Sequence, residues 1–516
     1  MNVPFVATAA ALAALLGAAT ASAQTVTREK VDTAIPKIEA LAQSLVDKGE
    51  VPGLAIGIVF EDQVVYLGGF GVREVGKADK VDADTVFQLA SLSKPISATV
   101  VAALISDSGG AMSWDSKVAD LDPVFRLSQP YPSEQLTLTD LFSHRSGLPG
   151  NAGNDLEGIG FDRTVILDRL RLVPPASSFR AGYSYSNFGL TEGGVAAAAG
   201  AGMSWEEAAE EKLFKPLGMT STSARHDEFL TRKNRAALHI LVDGQWTPKV
   251  KRNPDPQAPA GGASGNVRDL AKWLLLEVNN GMYDGRQVIS AEALAATHEP
   301  VIMRGTNPFT GEAGFYARGW NVDYGRHGTM WSHAGAFSNG ARTEANILPA
   351  EKLGIVVLAA AFPTGVPEGI ADTFFDEVID GRPSRDWVEA WNGLYDSLFG
   401  AEVIEAAGAA FAKPPENATA PLALSAYTGA YANDYVGEAV VTEEGGALML
   451  ALGPDGVKRF PLRHFDRDTF VFAMSEEYPD LMSPAVFAIG PDGTAASLAI
   501  DDFAVAGAAV LPRKAE

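Results

Sequence analysis

The chain has 516 residues, a charged fraction of 20%, and 41 basic against 64 acidic side chains, for a formal charge of −23. That length supports two or more packed domains, and the acidic balance argues against a nucleic-acid or anionic-membrane surface as partner. There is no cysteine, so thiol nucleophiles, thiolate zinc sites and disulfides are excluded.

Residues 1–23 read as a secretory signal, with an apolar stretch from Val6 to Ala19 and the small-residue pattern Ala21-Ser22-Ala23 before Gln24. A periplasmic or secreted mature chain without a membrane span is therefore expected. Val31, Ile35, Ile38, Leu41 and Leu45 then mark an amphipathic helix ending near Gly49. Leu54 to Phe60 and Val64 to Phe70, joined by Glu61-Asp62-Gln63, predict a β-hairpin. From Ser113 to Glu299 the pattern is mostly helical, with helices near Thr139 to Ser143, Asn187 to Ala199, Trp205 to Phe214 and Val267 to Val278. Strands are expected again at Tyr316 to Tyr324, Thr329 to His333, Ala341 to Leu348 and Leu353 to Ala360, and a closing helix at Ile370 to Ile379.

These elements place both ends of the region in one antiparallel sheet, flanked by helices and interrupted by a helical block. The class is α/β (α+β) without doubly wound alternation. A proline-rich linker is expected at 412–423, separating residues 24–411 from 424–516. Beyond it, short strands at Gly437 to Thr442, Ala447 to Leu452, Arg459 to Leu462, Thr469 to Phe472, Ala485 to Ile489 and Ala496 to Ile500 suggest a small antiparallel barrel or sandwich.

The chemistry concentrates in Ser91-Leu92-Ser93-Lys94. Three residues apart at a helix start, a hydroxyl and an amine share one face, the arrangement a serine nucleophile needs if the amine is to handle its proton. Free N–H groups and the helix dipole at that end favour an oxyanion. By itself such a pattern also fits a solvated helix end. Tyr185-Ser186-Asn187 supplies a phenol that an adjacent Lys94 ammonium would push toward phenolate. His333-Ala334-Gly335 offers a small-residue edge strand along which substrate backbone can pair. Ser146-Gly147-Leu148-Pro149 and Ala260-Gly261-Gly262-Ala263-Ser264 read as turn chemistry with no further role. The seven histidines show no metal-binding spacing, and neither a metal nor any other cofactor is expected.

Phe87 to Lys94, Leu141-Phe142-Ser143-His144-Arg145-Ser146-Gly147-Leu148, Tyr185-Ser186-Asn187, Pro216-Leu217-Gly218-Met219 and His333-Ala334-Gly335 together resemble the serine beta-lactamase and penicillin-binding-protein superfamily, in its class C beta-lactamase-like branch. The segment after the linker resembles the small lipocalin-like β-barrel often appended to such enzymes. The resemblance implies a beta-lactamase/transpeptidase-like fold. It implies Ser91 as nucleophile, Lys94 assisting its deprotonation, Tyr185 as proton acceptor and donor, and Asn187 binding the substrate amide and Lys94. It further implies His333 in the place of the third motif's basic residue, Gly335 admitting the strand, and the N–H groups of Ser91 and Ala336 as oxyanion hole. Beta-lactamases and D,D-carboxypeptidases of the superfamily generally carry lysine where this chain has His333, and an ordinary histidine is mostly neutral at pH 7. Arg318 or Arg342 would restore a cation if either faced the site.

The leading expectation is a serine hydrolase that cleaves amide or peptide bonds of a small-molecule or peptide substrate through an acyl-enzyme. Carboxylesterase activity is the first alternative, then beta-lactamase or D,D-carboxypeptidase. A penicillin-binding-like sensor without turnover is the alternative from another class.

Overall fold

The computed structural model describes residues 26–474 and 481–515; the expected signal segment lies outside them. Helix α1 (Arg28–Asp47) opens the described chain. Thr27 caps it, its hydroxyl accepting from Lys30 N at 3.3 Å, and Val31, Ala34, Ile38, Ala42 and Leu45 form its buried stripe. The hairpin β1 (Gly53–Phe60) and β2 (Gln63–Gly71) follows as expected. Helix α2 (Ser93–Asp107) is buried at every position from Ser93 to Leu104. It runs through the protein interior, which explains a sequence without a polar face. The inserted block continues with α3 (Asn187–Gly200) and α4 (Val267–Val278).

The sheet then resumes with β3 (Ile302–Thr306), β4 (Ala313–Tyr316), β5 (Asn321–Gly325), β6 (Gly328–Phe337), β7 (Ala341–Leu348) and β8 (Leu353–Ala359). Its order is β2-β1-β8-β7-β6-β5-β4-β3, antiparallel throughout, with Leu54 opposite Ala359 and His333 opposite Ala345. Period-two alternation sorts the central strands. Leu54, Ile56, Ile58, Ile355 and Val357 pack with α1 and with α5 (Val366–Asp380), while Ala55, Val59, Val356 and Leu358 belong to the core shared with the inserted helices.

Two expectations for this region are corrected. Tyr316 to Tyr324 is two strands, because the chain reverses at Ala317–Trp320, where Gly319 has φ +87° and Ala317 N donates to Trp320 O at 2.8 Å. Residues 302–315, to which no strand was assigned from the sequence, contribute to the β3–β4 hairpin, whose register shift at Gly314/Phe315 breaks the alternation by which strands are recognised.

Helices α6 (Trp387–Phe399) and α7 (Ala401–Ala412), not distinguished in the sequence, follow α5. From Lys413 to Ala423 the chain has neither helix nor strand. Eight strands then pair in simple succession: β9 (Gly429–Asn433), β10 (Gly437–Glu444), β11 (Ala447–Leu452), β12 (Lys458–Asp466), β13 (Thr469–Ala473), β14 (Met482–Ile489), β15 (Ala495–Ile500) and β16 (Val510–Pro512). The first and last strands meet where Tyr431 bridges Arg513 and Lys514 N donates to Ala430 O at 2.8 Å, so the sheet closes nearly into a barrel. Tyr431, Leu450, Phe470, Phe487 and Leu498 fill its interior. The sequence reading missed β9 and β16, which are short and complete the barrel across its seam.

The barrel docks on the inserted block. Tyr435 donates its hydroxyl to Asp155 Oδ1 at 2.7 Å and accepts from Gly153 N at 3.3 Å, while Arg169 Nη1 donates to Tyr435 O at 2.7 Å. The two bodies share one continuous hydrophobic core.

Candidate active site

Two residues of extended chain, Phe87–Gln88, pair with Ser264–Gly265, and Leu89 N donates to Ala263 O at 2.9 Å. The chain then turns sharply. Ala90 has φ +49°, a left-handed conformation that costs an alanine energy and persists only where packing enforces it. That packing comes from Leu238, Phe337 and Ala341 around the buried Ala90. One turn of tight helix, Ala90–Leu92, leads straight into α2. Ser91 is thereby half-exposed at the helix start, with Lys94 beneath it at 0% exposure.

Strand β6 lies directly against this turn. A Cβ on Gly335 would stand 2.2 Å from Leu89 O and 2.9 Å from Leu92 N, so only glycine fits. Thr343 of β7 donates its hydroxyl to the same Leu89 carbonyl at 2.8 Å. Residues 333–337 pair with β7 on one side, whereas the pairing of β6 with β5 ends at Ser332. The expected edge is therefore half of an interior strand, free on one side only at its C-terminal end.

Lys94 Nζ lies 2.9 Å from Ser91 Oγ, 2.7 Å from Asn187 Oδ1 and 3.0 Å from Ala260 O. Both carbonyl oxygens can only accept. Two N–H bonds are thus committed to them, and the third tetrahedral position of the amine points at Ser91. Burial holds the Lys94 amine well below its ordinary pKa. In the neutral amine that third position is a lone pair, able to receive the Ser91 proton. Tyr185 meets the same oxygen through its hydroxyl, and its ring centroid is 4.5 Å from Lys94 Nζ. Burial keeps the Tyr185 phenol well above its ordinary value. The expectation of an ammonium facing a phenolate is corrected: desolvation acts on both groups and favours amine beside phenol.

His333 is 4% exposed, with Nε2 2.9 Å from Tyr316 Oη and Nδ1 2.6 Å from Ala334 O. The carbonyl requires an N–H at Nδ1, so Nε2 accepts from the Tyr316 phenol. Burial pushes His333 down to about 3. It carries no charge to the site near neutral pH. Neither arginine replaces it. Arg318 donates to Thr139 Oγ1 at 2.9 Å and to Ala296 O, and Arg342 is paired with Glu368.

Several neighbours were not assigned to the site from the sequence. The Ala260–Ser264 loop is more than a turn, because Ala260 O accepts from Lys94 and Ala263 N donates to the Ser93 hydroxyl oxygen at 2.9 Å. His144 accepts from Ser186 N at 3.1 Å and lies with its ring 4.5 Å from Tyr185 and 4.9 Å from Tyr316. Asn154 Oδ1 reaches Asn187 Nδ2 at 3.5 Å. Distant from this site, His327, Asp376 and Asp380 converge within 4.8 Å, but the Arg326 guanidinium already bonds both carboxylates.

Among known proteins, the beta-lactamase family model matches residues 38–377, and a domain of unknown function, DUF3471, matches residues 413–510. Unguisins hydrolase ungD' of Aspergillus campestris (strain IBT 28561) is 25% identical over 486 residues, covering 90% of this chain and 88% of that protein. Penicillin-binding protein 4 of Amycolatopsis lactamdurans is 28% identical over 339 residues, 64% of this chain and 84% of its own. The octameric penicillin-binding protein homologue from Pyrococcus abyssi superposes with a TM-score of 0.57 at 20% identity, over 92% of this chain and 99% of its own. SurE, in a crystal structure with D-Leu, superposes with a TM-score of 0.55 at 20% identity, over 94% and 100% of the two chains.

Proposed function

From the premise that this chain belongs to the beta-lactamase family, whose members are serine hydrolases, we propose that it hydrolyses amide or peptide bonds of small substrates through an acyl-enzyme on Ser91. The observation that carries the reading is the triple contact of Lys94 Nζ, which leaves its lone pair on the Ser91 hydroxyl. As Ser91 Oγ bonds the substrate carbonyl carbon, the hydroxyl proton passes to Lys94. The oxyanion settles against the N–H groups of Ser91 and Ala336, where loss of one donor typically costs about 2.7–4 kcal/mol of transition-state stabilisation. When the C–N bond breaks, Tyr185 donates its phenolic proton to the leaving nitrogen and is reprotonated from Lys94. Water then attacks the ester carbon, gives a proton back along the same route, and releases the acid and free Ser91.

Asn187 orients Lys94 and offers its amide N–H to the substrate carbonyl side. Gly335 brings the free edge of β6 within reach, so that substrate backbone pairs with residues 333–337. His333 acts through Tyr316, fixing the wall of the pocket as a neutral acceptor. With His333 uncharged near neutral pH, and with Arg318 and Arg342 engaged elsewhere, none of these three provides the carboxylate anchor of a beta-lactamase or D,D-carboxypeptidase. That lack favours peptidase or amidase action, with carboxylester hydrolysis as the second reading, since the same acyl-enzyme serves esters. The relative named unguisins hydrolase, aligned over most of both chains, supports hydrolysis. The apolar N-terminal stretch and Ala21-Ser22-Ala23 support export to the periplasm or beyond; no helix among the described residues is long and apolar enough to cross a membrane.

The test is steady-state hydrolysis of a D-amino-acid anilide, a linear peptide, a short-chain aryl ester and a chromogenic cephalosporin, with intact-mass detection of an adduct on Ser91. Turnover of anilide or peptide is expected; ester turnover alone moves the assignment to carboxylesterase. An adduct without turnover would make the protein a sensor.

A further inference from the structure

A cavity of about 270 Å³ opens on the other face of β6 and β7, beneath helices α5 and α6. Trp387, Trp391 and Phe309 wall part of it, and Glu344, Glu368 and Asp372 are among its carboxyl groups. The charges there do not balance. Arg342 pairs with Glu368 through Nε at 2.7 Å, and Arg304 with Asp323 at 2.7 Å. Arg326 serves Asp376 and Asp380. Among the described residues no cation is in ion-pair contact with Glu344 or Asp372.

Glu344 is 5% exposed. The Asn346 amide, turned so that its nitrogen faces inward, donates to Glu344 Oε1, whereas Glu344 Oε2 has no hydrogen-bond partner among the described residues, nor has Glu368 Oε2. Asp372 accepts from Trp391 Nε1 at 2.8 Å. Unpartnered buried carboxylate oxygens are costly and call for donors. Burial, and after it the charge of Glu368, holds Glu344 well above the usual carboxylate range; burial, with Asp376 and Glu368 nearby, raises Asp372 to about 7. A cation entering the cavity relieves both. The aromatic walls already perform this service nearby, since the Arg385 guanidinium lies 4.8 Å from the Trp387 ring centre and 5.7 Å from that of Phe309. A hard divalent ion seeks six or more oxygen ligands and gains little from indole faces. An alkylammonium supplies three N–H donors to oxygens that become acceptors only as Glu344 releases its proton to solvent, and an apolar stem to the rings.

We propose that this cavity binds a primary ammonium group on a short alkyl stem, its nitrogen donating to Glu344 Oε2 and Glu368 Oε2 and its stem lying against the aromatic wall that Phe309 forms in edge contact with Trp387 and Trp391. The site does not depend on the reaction at Ser91. Its position nevertheless connects the two, because Ala334 lines the cavity and belongs to the free edge of β6. A chain paired with that edge sends alternate side chains to this face. The ammonium is therefore either part of a substrate or a free amine.

The experiment is a calorimetric titration of n-butylammonium chloride into the full chain and into its Ser91→Ala variant, with n-butanol at matched ionic strength as control. Saturable binding of the cation to both proteins is expected, with none for n-butanol. Affinity should fall about tenfold or more in Glu344→Gln, whose melting temperature should be unchanged or higher, since a buried unpaired acid is removed. Asp372→Asn, in a half-buried position, provides the second variant should Glu344→Gln fail to fold. Absence of saturation, an equal response to n-butanol, or unaltered affinity in the folded variants would overturn the proposal. Added to assays of a lysine-containing and a neutral substrate, the same salt distinguishes the sources. Competition against the lysine substrate alone identifies the substrate's own amine, and binding without effect on either KM identifies a free one.

Discussion

Lys94 and Glu344 lie on opposite faces of the sheet at β6 and β7, both almost fully buried, and burial drives each toward its neutral form. The surroundings then differ. Around Lys94 every position of the amine is assigned: two carbonyl acceptors and one hydroxyl. Around Glu344 one oxygen is served and the other is bare. Low dielectric alone thus makes neither a base nor a binding site; the arrangement of partners decides whether a shifted group is poised for proton transfer or waits for a ligand.

The harshest way to break the comparison is to remove the groups on the Lys94 side. Ser91→Ala should reduce turnover by on the order of 10⁴-fold or more without loss of fold, measured as kcat with an aryl ester and as retained thermal unfolding. Lys94→Ala should slow acylation by a factor of the same order, visible as a delayed mass shift on Ser91; undiminished acylation would remove Lys94 from the proton path. Next comes Gly335→Ala. Its Cβ meets backbone at Leu89 and Leu92, so β6 must withdraw from the turn. A cost of about 1–3 kcal/mol in unfolding free energy and a fall in kcat/KM larger than in binding of product are expected.

The pH response is gentler and its sign follows from burial. His333 titrates near 6.5 when unfolded and at about 3 when folded. Between those values the unfolded chain binds the extra proton, so the His333 contribution to stability is present above about 6.5 and is lost as pH falls toward 3. His333→Gln should flatten the stability curve in that window, followed by denaturant midpoints from pH 7 to pH 4. The smallest effect concerns the barrel. Tyr435→Phe removes the hydroxyl that joins Asp155 and Gly153, and should lower stability by about 1 kcal/mol with less than a tenfold change in kcat/KM. A change in kcat/KM of a hundredfold would show that the barrel positions Asn154 and Asn187 far more tightly than these bonds imply.

The contrast between the two faces also marks what a sequence displays. Ser91 and Lys94 were legible because three residues of helix bring them together, and the central strands because Leu54 to Phe60 and Leu353 to Ala360 are continuous apolar runs. Most barrel strands announced themselves by turn residues, whereas β9 and β16 are short and gain meaning only from the closure they complete. Ala260 was invisible because its contribution is a backbone carbonyl, which no residue type encodes. His144 and Tyr316 were readable as residues but not as neighbours, since they meet through folding of segments more than a hundred residues apart. The phenolate expected at Tyr185 followed from charge alone; burial, which sequence does not report, reverses it. Glu344 sits in a strand whose every residue is buried, a pattern that would ordinarily argue against a carboxylate there.

The central claim is that a neutral Lys94 takes the Ser91 proton, and the pH dependence of the Ser91 acylation rate tests it most directly. Single-turnover reaction with an activated aryl ester, followed by intact mass in the native protein and in Lys94→Ala, gives the rate at each pH. The account predicts a rate that rises with pH to a plateau whose midpoint lies well below the ordinary lysine value of 10.5, and the loss of that limb in Lys94→Ala. A midpoint at the ordinary lysine value, or an identical profile in the variant, would contradict it.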